Sequence, residues 1–294
     1  MSEAQPIDAA ASFEPLRGLL TGLAYRMLGS RAEAEDMVQE AYLRWHATDR
    51  AAVHEPRAFL SKTVTRLCLD HIKSARVQRE DYVGPWLPEP LLDDSSLSVE
   101  SANEYANDLS VALLLTLERL SPLERAAFLL HDVFDMSFEQ VGETLGREAA
   151  ACRQLASRAR SHVREEKPRF RPSAEEEARV FSAFTTALGS GDIAALSQVL
   201  ARDAEFYADG GGKISAAQKP ILGAERVAKF LAGIVNKFFL PRGAQYRLAR
   251  INGLPGLVVM EASAVVQTLA VEVRDGVIAK IYTVRNPDKL RFVH

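Results

Sequence analysis

Residues 137–164, Ser-Phe-Glu-Gln-Val-Gly-Glu-Thr-Leu-Gly-Arg-Glu-Ala-Ala-Ala-Cys-Arg-Gln-Leu-Ala-Ser-Arg-Ala-Arg-Ser-His-Val-Arg, contain two helices and the turn between them. Ser137 and Gln140 have capping-box spacing, and Phe138, Val141 and Leu145 recur on one helical face. Gly146 can take the left-handed conformation that ends the first helix. The second helix has an inward stripe of Cys152, Leu155 or Ala156, Ala159 and Val163. That leaves Arg153, Gln154, Ser157, Arg158, Arg160 and Arg164 facing outward. Such a face suits a DNA major groove, because arginine can fork onto guanine, glutamine can pair with adenine, and spare guanidiniums can hold phosphates. A solvated basic helix would show the same periodicity, and the pattern alone leaves both readings open.

Working outward, Ser-Pro-Leu-Glu-Arg at 121–125 opens another capped helix, with Pro122 in the first turn. Far upstream lies Gly-Ser-Arg-Ala-Glu-Ala-Glu-Asp-Met-Val-Gln-Glu-Ala-Tyr-Leu-Arg-Trp at 29–45, and the stretch 59–79 runs from Phe59 to Arg79. The 29–45 stretch resembles region 2.2, the polymerase-binding helix of bacterial sigma factors, and 59–79 resembles regions 2.3 and 2.4, which meet the −10 promoter element. The 121–125 stretch resembles the opening of region 4, which meets −35. Three matches in the correct order are more specific than one. The resemblance is to the small extracytoplasmic-function sigma factors and covers roughly residues 10–168.

Charge follows the same division. The net charge of −3 over 294 residues argues against a protein that coats nucleic acid indiscriminately. Yet residues 57–79 carry Arg57, Lys62, Arg66, Lys73, Arg76 and Arg79 against only Asp70, and 147–171 carry eight Lys or Arg against three Glu. Residues 80–124 hold ten acidic side chains and only Arg119. Two basic modules joined by an acidic linker fit two separated promoter elements better than one continuous groove. Cys68 and Cys152 sit singly on expected helices, with no ligand spacing that suggests zinc or a disulfide framework, so no metal is expected. No segment approaches 18 uninterrupted apolar residues, and the N-terminus lacks a basic and then hydrophobic signal region. A cytoplasmic protein is expected.

Along the chain, 10–79 reads as a helical bundle, 80–106 as a linker and 107–168 as a helix-turn-helix domain. Pro85, Pro88 and Pro90 keep the linker out of helix, and Trp86 gives it an aromatic anchor. Within the second helical block, helices are expected at about 104–120, 122–134, 138–145 and 148–166. After Pro168 the character changes. Two helices are expected over 173–200, then a short strand at 204–208, a helix at 223–238, and strands at 245–251, 257–273 and 277–285. The order is α+β. It resembles the SnoaL-like, nuclear-transport-factor-like cone, which encloses a pocket between helices and sheet. The fold class expected is therefore multidomain: two all-α sigma domains, then an α+β SnoaL-like domain over 173–294.

Some proteins of that cone superfamily are enzymes, but a general acid–base site needs a positioned titratable pair. The only histidine after residue 162 is His294, and Asp203, Asp209 and Asp275 read more simply as turn or cap residues. No catalytic residues and no cofactor are expected. Asp209-Gly210-Gly211-Gly212-Lys213 is not a phosphate loop, because Lys213 is followed by Ile214 and the glycine spacing is wrong. Glycines there let another chain approach closely, or simply make a turn. Together with Trp-Leu-Pro-Glu-Pro at 86–90 and Asn286-Pro287-Asp288-Lys289-Leu290, this motif resembles the sigma-factor group with a SnoaL-like C-terminal extension.

The resemblance implies a promoter-specificity subunit whose partners are core RNA polymerase and promoter DNA, with no membrane contact. Asp36, Gln39, Glu40 and Leu43 would bind the polymerase clamp helices. Arg66, Asp70, His71, Lys73 and Arg76, with the 49–58 loop, would handle the melted −10 strand. Arg153, Gln154, Ser157, Arg158 and Arg160 would meet −35. Trp86 and Pro88 of the linker, residues 209–213, and Asn286, Pro287, Asp288 and Lys289 would form a regulatory contact, Trp86 needing a neighbour to bury against. The cone would be a built-in regulator with room for an unknown small-molecule ligand. A one-component helix-turn-helix regulator with a ligand-sensing C-terminal domain explains 121–294 but gives 29–45 and 57–79 no purpose.

Overall fold

The structure, a computed structural model, describes residues 8–80, 82–92, 108–166, 172–239, 241 and 243–294. The chain forms two compact units: 1–80 with 94–167, and 81–93 with 168–294. The segment after residue 80 thus belongs with the C-terminal part of the chain and not with the helices it joins. Residues 81 and 93–106 of the expected linker, and with them the start of the helix expected from 104, lie outside the described residues.

In the helical unit, α1 (Ala9–Leu28), α2 (Arg31–Ala47) and α3 (Pro56–Glu80) pack together. Asp8 and Ser30 cap the first two by accepting backbone N–H bonds, and Gly29 breaks between them in the left-handed region. Phe13, Leu20, Leu23, Ala24 and Met27 supply the buried stripe of α1. Trp45 of α2 is fully buried among them, and its indole N–H donates to the Ser12 hydroxyl at 3.1 Å.

The second half of this unit comprises α4 (Val111–Arg119), α5 (Pro122–Phe128), α6 (Phe138–Leu145) and α7 (Ala149–Glu166). The expected capping box of Ser137 with Gln140 forms, the expected Ser121 cap forms as a box with Glu124, and Gly146 ends α6 at φ 64°. The helix expected over 122–134 widens into a π turn at Leu129–Val133. Its end is held by the His131 ring, whose Nδ1 lies 2.8 Å from the Met136 carbonyl and which stacks on Phe138. On α7, Cys152, Ala156, Ala159 and Val163 are buried, which decides between Leu155 and Ala156 for the inward stripe.

The C-terminal unit carries α8 (Ala174–Ser190), α9 (Ile193–Val199) and α10 (Ala224–Ile234) on a six-stranded sheet. The strands are β1 (Leu200–Asp209), β2 (Ile221–Leu222), β3 (Gln245–Ile251), β4 (Leu254–Glu261), β5 (Ala264–Arg274) and β6 (Val277–Val284). Their order is β2-β1-β6-β5-β4-β3, with β1 and β6 parallel and the other pairs antiparallel. The single strand expected over 257–273 is corrected to a hairpin, turning at Ala262 and Ser263, both at positive φ.

Alternate residues divide the sheet between two covers. Phe206, Leu257, Leu269, Val271 and Ile281 join the helix-side core with Phe184, Val227 and Leu231. Val258, Thr268, Ala270 and Val284 have the opposite parity and are buried as well, which requires a second cover. The segment 82–92 packs within this unit, tied to Asp209 at the end of β1 and to Asn252 in the β3–β4 turn. Leu87 and Leu91 of this strap are buried, each worth about 1.5–3 kcal/mol of transfer free energy.

Candidate functional site

On α2, Asp36, Gln39, Glu40 and Leu43 recur at i, i+3, i+4 and i+7 and form one face. Asp36 and Gln39 are exposed, Glu40 pairs with Arg44 at 2.9 Å, and Leu43 keeps 54% of its surface in solvent. An exposed leucine rimmed by polar groups is an ordinary protein-docking arrangement. Trp45 turns away from this face and holds α2 on the bundle.

Of the −10 candidates on α3, Asp70 and Lys73 are exposed and pair with each other at 3.2 Å. His71 Nε2 lies 3.3 Å from Glu33 of α2. Arg66 is exposed on the same helix. It donates to the carbonyls of Thr144 and Glu143, at 3.0 and 2.9 Å, where the last turn of α6 leaves acceptors unsatisfied. Lys62 and Glu55 of the same region face Glu143 and Gln140. The side chain of Arg76 lies outside the described residues.

On α7, Arg153, Gln154, Ser157 and Arg158 are exposed on one face, and the Arg153 guanidinium lies 5.1 Å from the Phe138 ring centre. Arg160, on the same helix, is only partly exposed. Its Nε donates to Asp132 at 2.6 Å in a largely buried pair, so it braces α7 against the π turn. Position 160 borders the inward stripe, and Asp132 lies within its reach.

The residues expected to form a regulatory contact converge inside the C-terminal unit. Asp209 is fully buried, and its carboxylate accepts four hydrogen bonds. Oδ1 takes the Tyr82 hydroxyl at 2.5 Å and the Gly211 N–H at 3.0 Å; Oδ2 takes the Leu87 N–H at 2.9 Å and the Lys289 ammonium at 2.8 Å. Lys289 also donates to the Leu87 carbonyl at 2.5 Å, and its ammonium lies 4.4 Å from the Trp86 ring centre. Asn286 donates to Tyr82 at 3.1 Å, and Lys213 pairs with Asp288. A buried charge pair of this kind holds only because its remaining bonds are also made.

The glycines serve this closeness. A side chain at Gly210 would overlap the Ile214 carbonyl, and one at Gly211, at φ +60°, would overlap the Asn286 amide. Pro287 is exposed and opens a short 3-10 turn capped by Asn286, while Pro88 is buried in the strap. The deepest apolar anchors are Leu87 and Leu91, with Trp86 only partly covered. Tyr82 and Asn252 went unmarked in the sequence: the first has no motif, and the second precedes Gly253 and looks like a plain turn. Burial and the Asp209 carboxylate push the Tyr82 phenol well above its ordinary value.

On the helix side of the sheet lies a cavity of about 490 Å³, lined by Phe206, Phe230, Leu231, Leu257 and Leu269, with Gln267 and Thr283 as buried polar groups. Its lining includes Ala208, Ser215 and Arg285, next in sequence or nearly so to Asp209, Lys213 and Asn286. Among the described residues no group of three or more His, Cys, Asp or Glu is placed to hold a metal, and no described helix is long and apolar enough to cross a membrane.

Residues 13–77 match the Sigma-70 region 2 family and residues 110–163 the Sigma-70, region 4 family. The chain is 38% identical to the ECF RNA polymerase sigma factor SigJ of Mycobacterium tuberculosis over 95% of its own length and 92% of that protein's. It is 34% identical to the probable ECF RNA polymerase sigma factor SigI of the same organism over 99% and 97%. The crystal structure of M. tuberculosis SigJ superposes with a TM-score of 0.73 at 34% identity, covering 96% of this chain and 98% of that one. With both sigma regions matched in order and similarity running through the C-terminal cone, the chain belongs to the extracytoplasmic-function RNA polymerase sigma factors, subunits that bind core polymerase and direct it to promoters.

Proposed function

We propose that this sigma factor is governed by its own SnoaL-like domain, which grips the connection between the two promoter-binding modules. The observation that carries the reading is the strap: residues 82–92 lie in sequence between the region 2 and region 4 matches, yet they are bonded to Asp209, Lys289 and Asn252 of the C-terminal unit. Roughly 30 residues separate α3 from α4, and as a free tether they could extend to about 100 Å. With the strap held, only about 18 residues of sequence lie between it and α4, so the path between the modules is set by the cone. Release of the strap changes which arrangements of regions 2 and 4 can meet polymerase and DNA.

In this reading Asp36, Gln39, Glu40 and Leu43 dock on core polymerase. Asp70, His71 and Lys73, with Arg76, handle the −10 strand, and Arg153, Gln154, Ser157 and Arg158 meet −35. Arg66 joins the −10 set once it leaves the α6 carbonyls, which makes the packed α3–α6 arrangement a resting form. Residues 10–79 and 107–168 act as separable modules, 80–106 as their linker and 173–294 as the regulator, all working in the cytoplasm with the transcription machinery. The cone acts without catalysis. That cavity holds a small-molecule effector. The one-component regulator reading is not favoured, because it leaves the region 2 match without a role.

The test is reconstitution with core polymerase. Asp36→Lys with Glu40→Lys should weaken assembly and initiation while circular dichroism stays unchanged, because both side chains lie on the surface of α2. Normal assembly by the double variant would refute the interface.

A further inference from the structure

The geometry points to the cone cavity as a binding site for an uncharged hydrophobic molecule that carries a hydroxyl or carbonyl oxygen. The inference rests on the reading that the cone regulates the sigma modules, and it names the chemistry of the effector. A cavity of about 490 Å³ falls in the roughly 300–1,000 Å³ range of small-molecule sites. Folding gains nothing from leaving such a space lined with Phe206, Phe230, Leu231 and Leu257, since unfilled apolar volume is destabilising.

The polar groups narrow the class. Thr283 is 2% exposed on β6, and its hydroxyl has no hydrogen-bond partner among the described residues. Gln267 on β5 is 7% exposed and lines the same cavity. A buried hydroxyl left unbonded is costly, and native cores avoid it. Both side chains can donate and accept, so a hydroxyl or carbonyl oxygen entering between the apolar walls would satisfy them without a charge to desolvate. Arg285, the charged lining residue, donates to the Ser215 carbonyl. A carboxylate would lose its hydration among the apolar walls, which makes an uncharged oxygen the better match to Gln267 and Thr283.

The experiment uses the full chain and three probes of one shape, naphthalene, 2-naphthol and 2-naphthoate, followed by calorimetry and thermal unfolding. 2-Naphthol should bind, and about tenfold or more tighter than naphthalene, the worth of satisfying a buried polar group. The double variant Gln267→Leu, Thr283→Val should keep or raise the melting temperature and bind naphthalene and 2-naphthol alike. Leu231→Trp should abolish binding by filling the space. No measurable binding of 2-naphthol, equal binding of all three by the wild type, or tighter binding of 2-naphthoate would overturn the proposal. So would a double variant that is less stable than wild type, since Gln267 and Thr283 would then serve the fold. Because the readout is binding and not transcription, failure here leaves the strap reading standing, and the two failures are told apart.

Discussion

Replacing Asp209 with asparagine removes the charge on which the strap depends while keeping the side chain's shape. The carboxylate is fully buried and accepts from Tyr82, Gly211, Leu87 and Lys289. An asparagine has one acceptor oxygen, and its amide nitrogen must face either the Tyr82 and Gly211 donors or the Leu87 N–H and the Lys289 ammonium. In both orientations donor meets donor. Lys289, 8% exposed, loses its carboxylate partner, and breaking one side of a buried pair costs about 3–5 kcal/mol. The strap opens before the sheet does, so most of that cost falls on local opening, and exchange of the Leu87 amide should accelerate by about a hundredfold or more. Hydrogen exchange read by mass spectrometry over residues 82–92 measures it. Adding Lys289→Met should recover part of the loss, since no unpaired ammonium then remains buried, and the coupling between the two substitutions should be about 1–3 kcal/mol. Exchange of Leu87 within about threefold of wild type in Asp209→Asn would refute the reasoning.

Gly211→Ala should destabilise the C-terminal unit by about 1–3 kcal/mol, because the methyl meets the Asn286 amide at a left-handed φ. Gly233→Ala, on α10 with open space around it, should be neutral or gain about 0.5–1 kcal/mol in the same urea melts. Arg158→Ala should cost roughly 1–3 kcal/mol in specific promoter binding and relax preference at one position. Arg160→Ala should instead lower the stability of the helical unit, leaving Asp132 buried without its partner; a base-specific loss with unchanged stability would restore Arg160 to the DNA face. Tyr82 is held neutral in the fold, with its pKa raised above the ordinary value of 10.0. Its contribution is therefore complete below that pH and is lost as pH rises from there toward the folded value. Strap exchange should rise on that alkaline side in wild type and not in Tyr82→Phe.

The helical half was readable because its signals are local. The caps at Ser121 and Ser137, Gly146, and the Cys152–Val163 stripe each act within two or three turns, and each forms as expected. Misreadings arose where the deciding partner was distant or the turn carried no usual residue. The β4–β5 hairpin turns at Ala262 and Ser263, which lack the glycine that marks such turns, so two strands read as one. The pairing of Arg160 with Asp132 was not legible either, because the π turn that presents Asp132 leaves no local signal. The Asp209–Lys289 pair spans 80 residues and follows no period. The motifs marked its members, but the burial of Leu87 and Leu91 in place of Trp86 is visible only in three dimensions.

The central claim is that the cone's grip on the strap sets sigma activity. In-vitro transcription with core polymerase and a cognate promoter, comparing wild type with Asp209→Asn, tests it most directly when strap exchange is followed on the same samples. The account predicts that the released strap changes initiation several-fold at unchanged affinity for core polymerase. Identical initiation by the two proteins, with the strap demonstrably released in the variant, would contradict it.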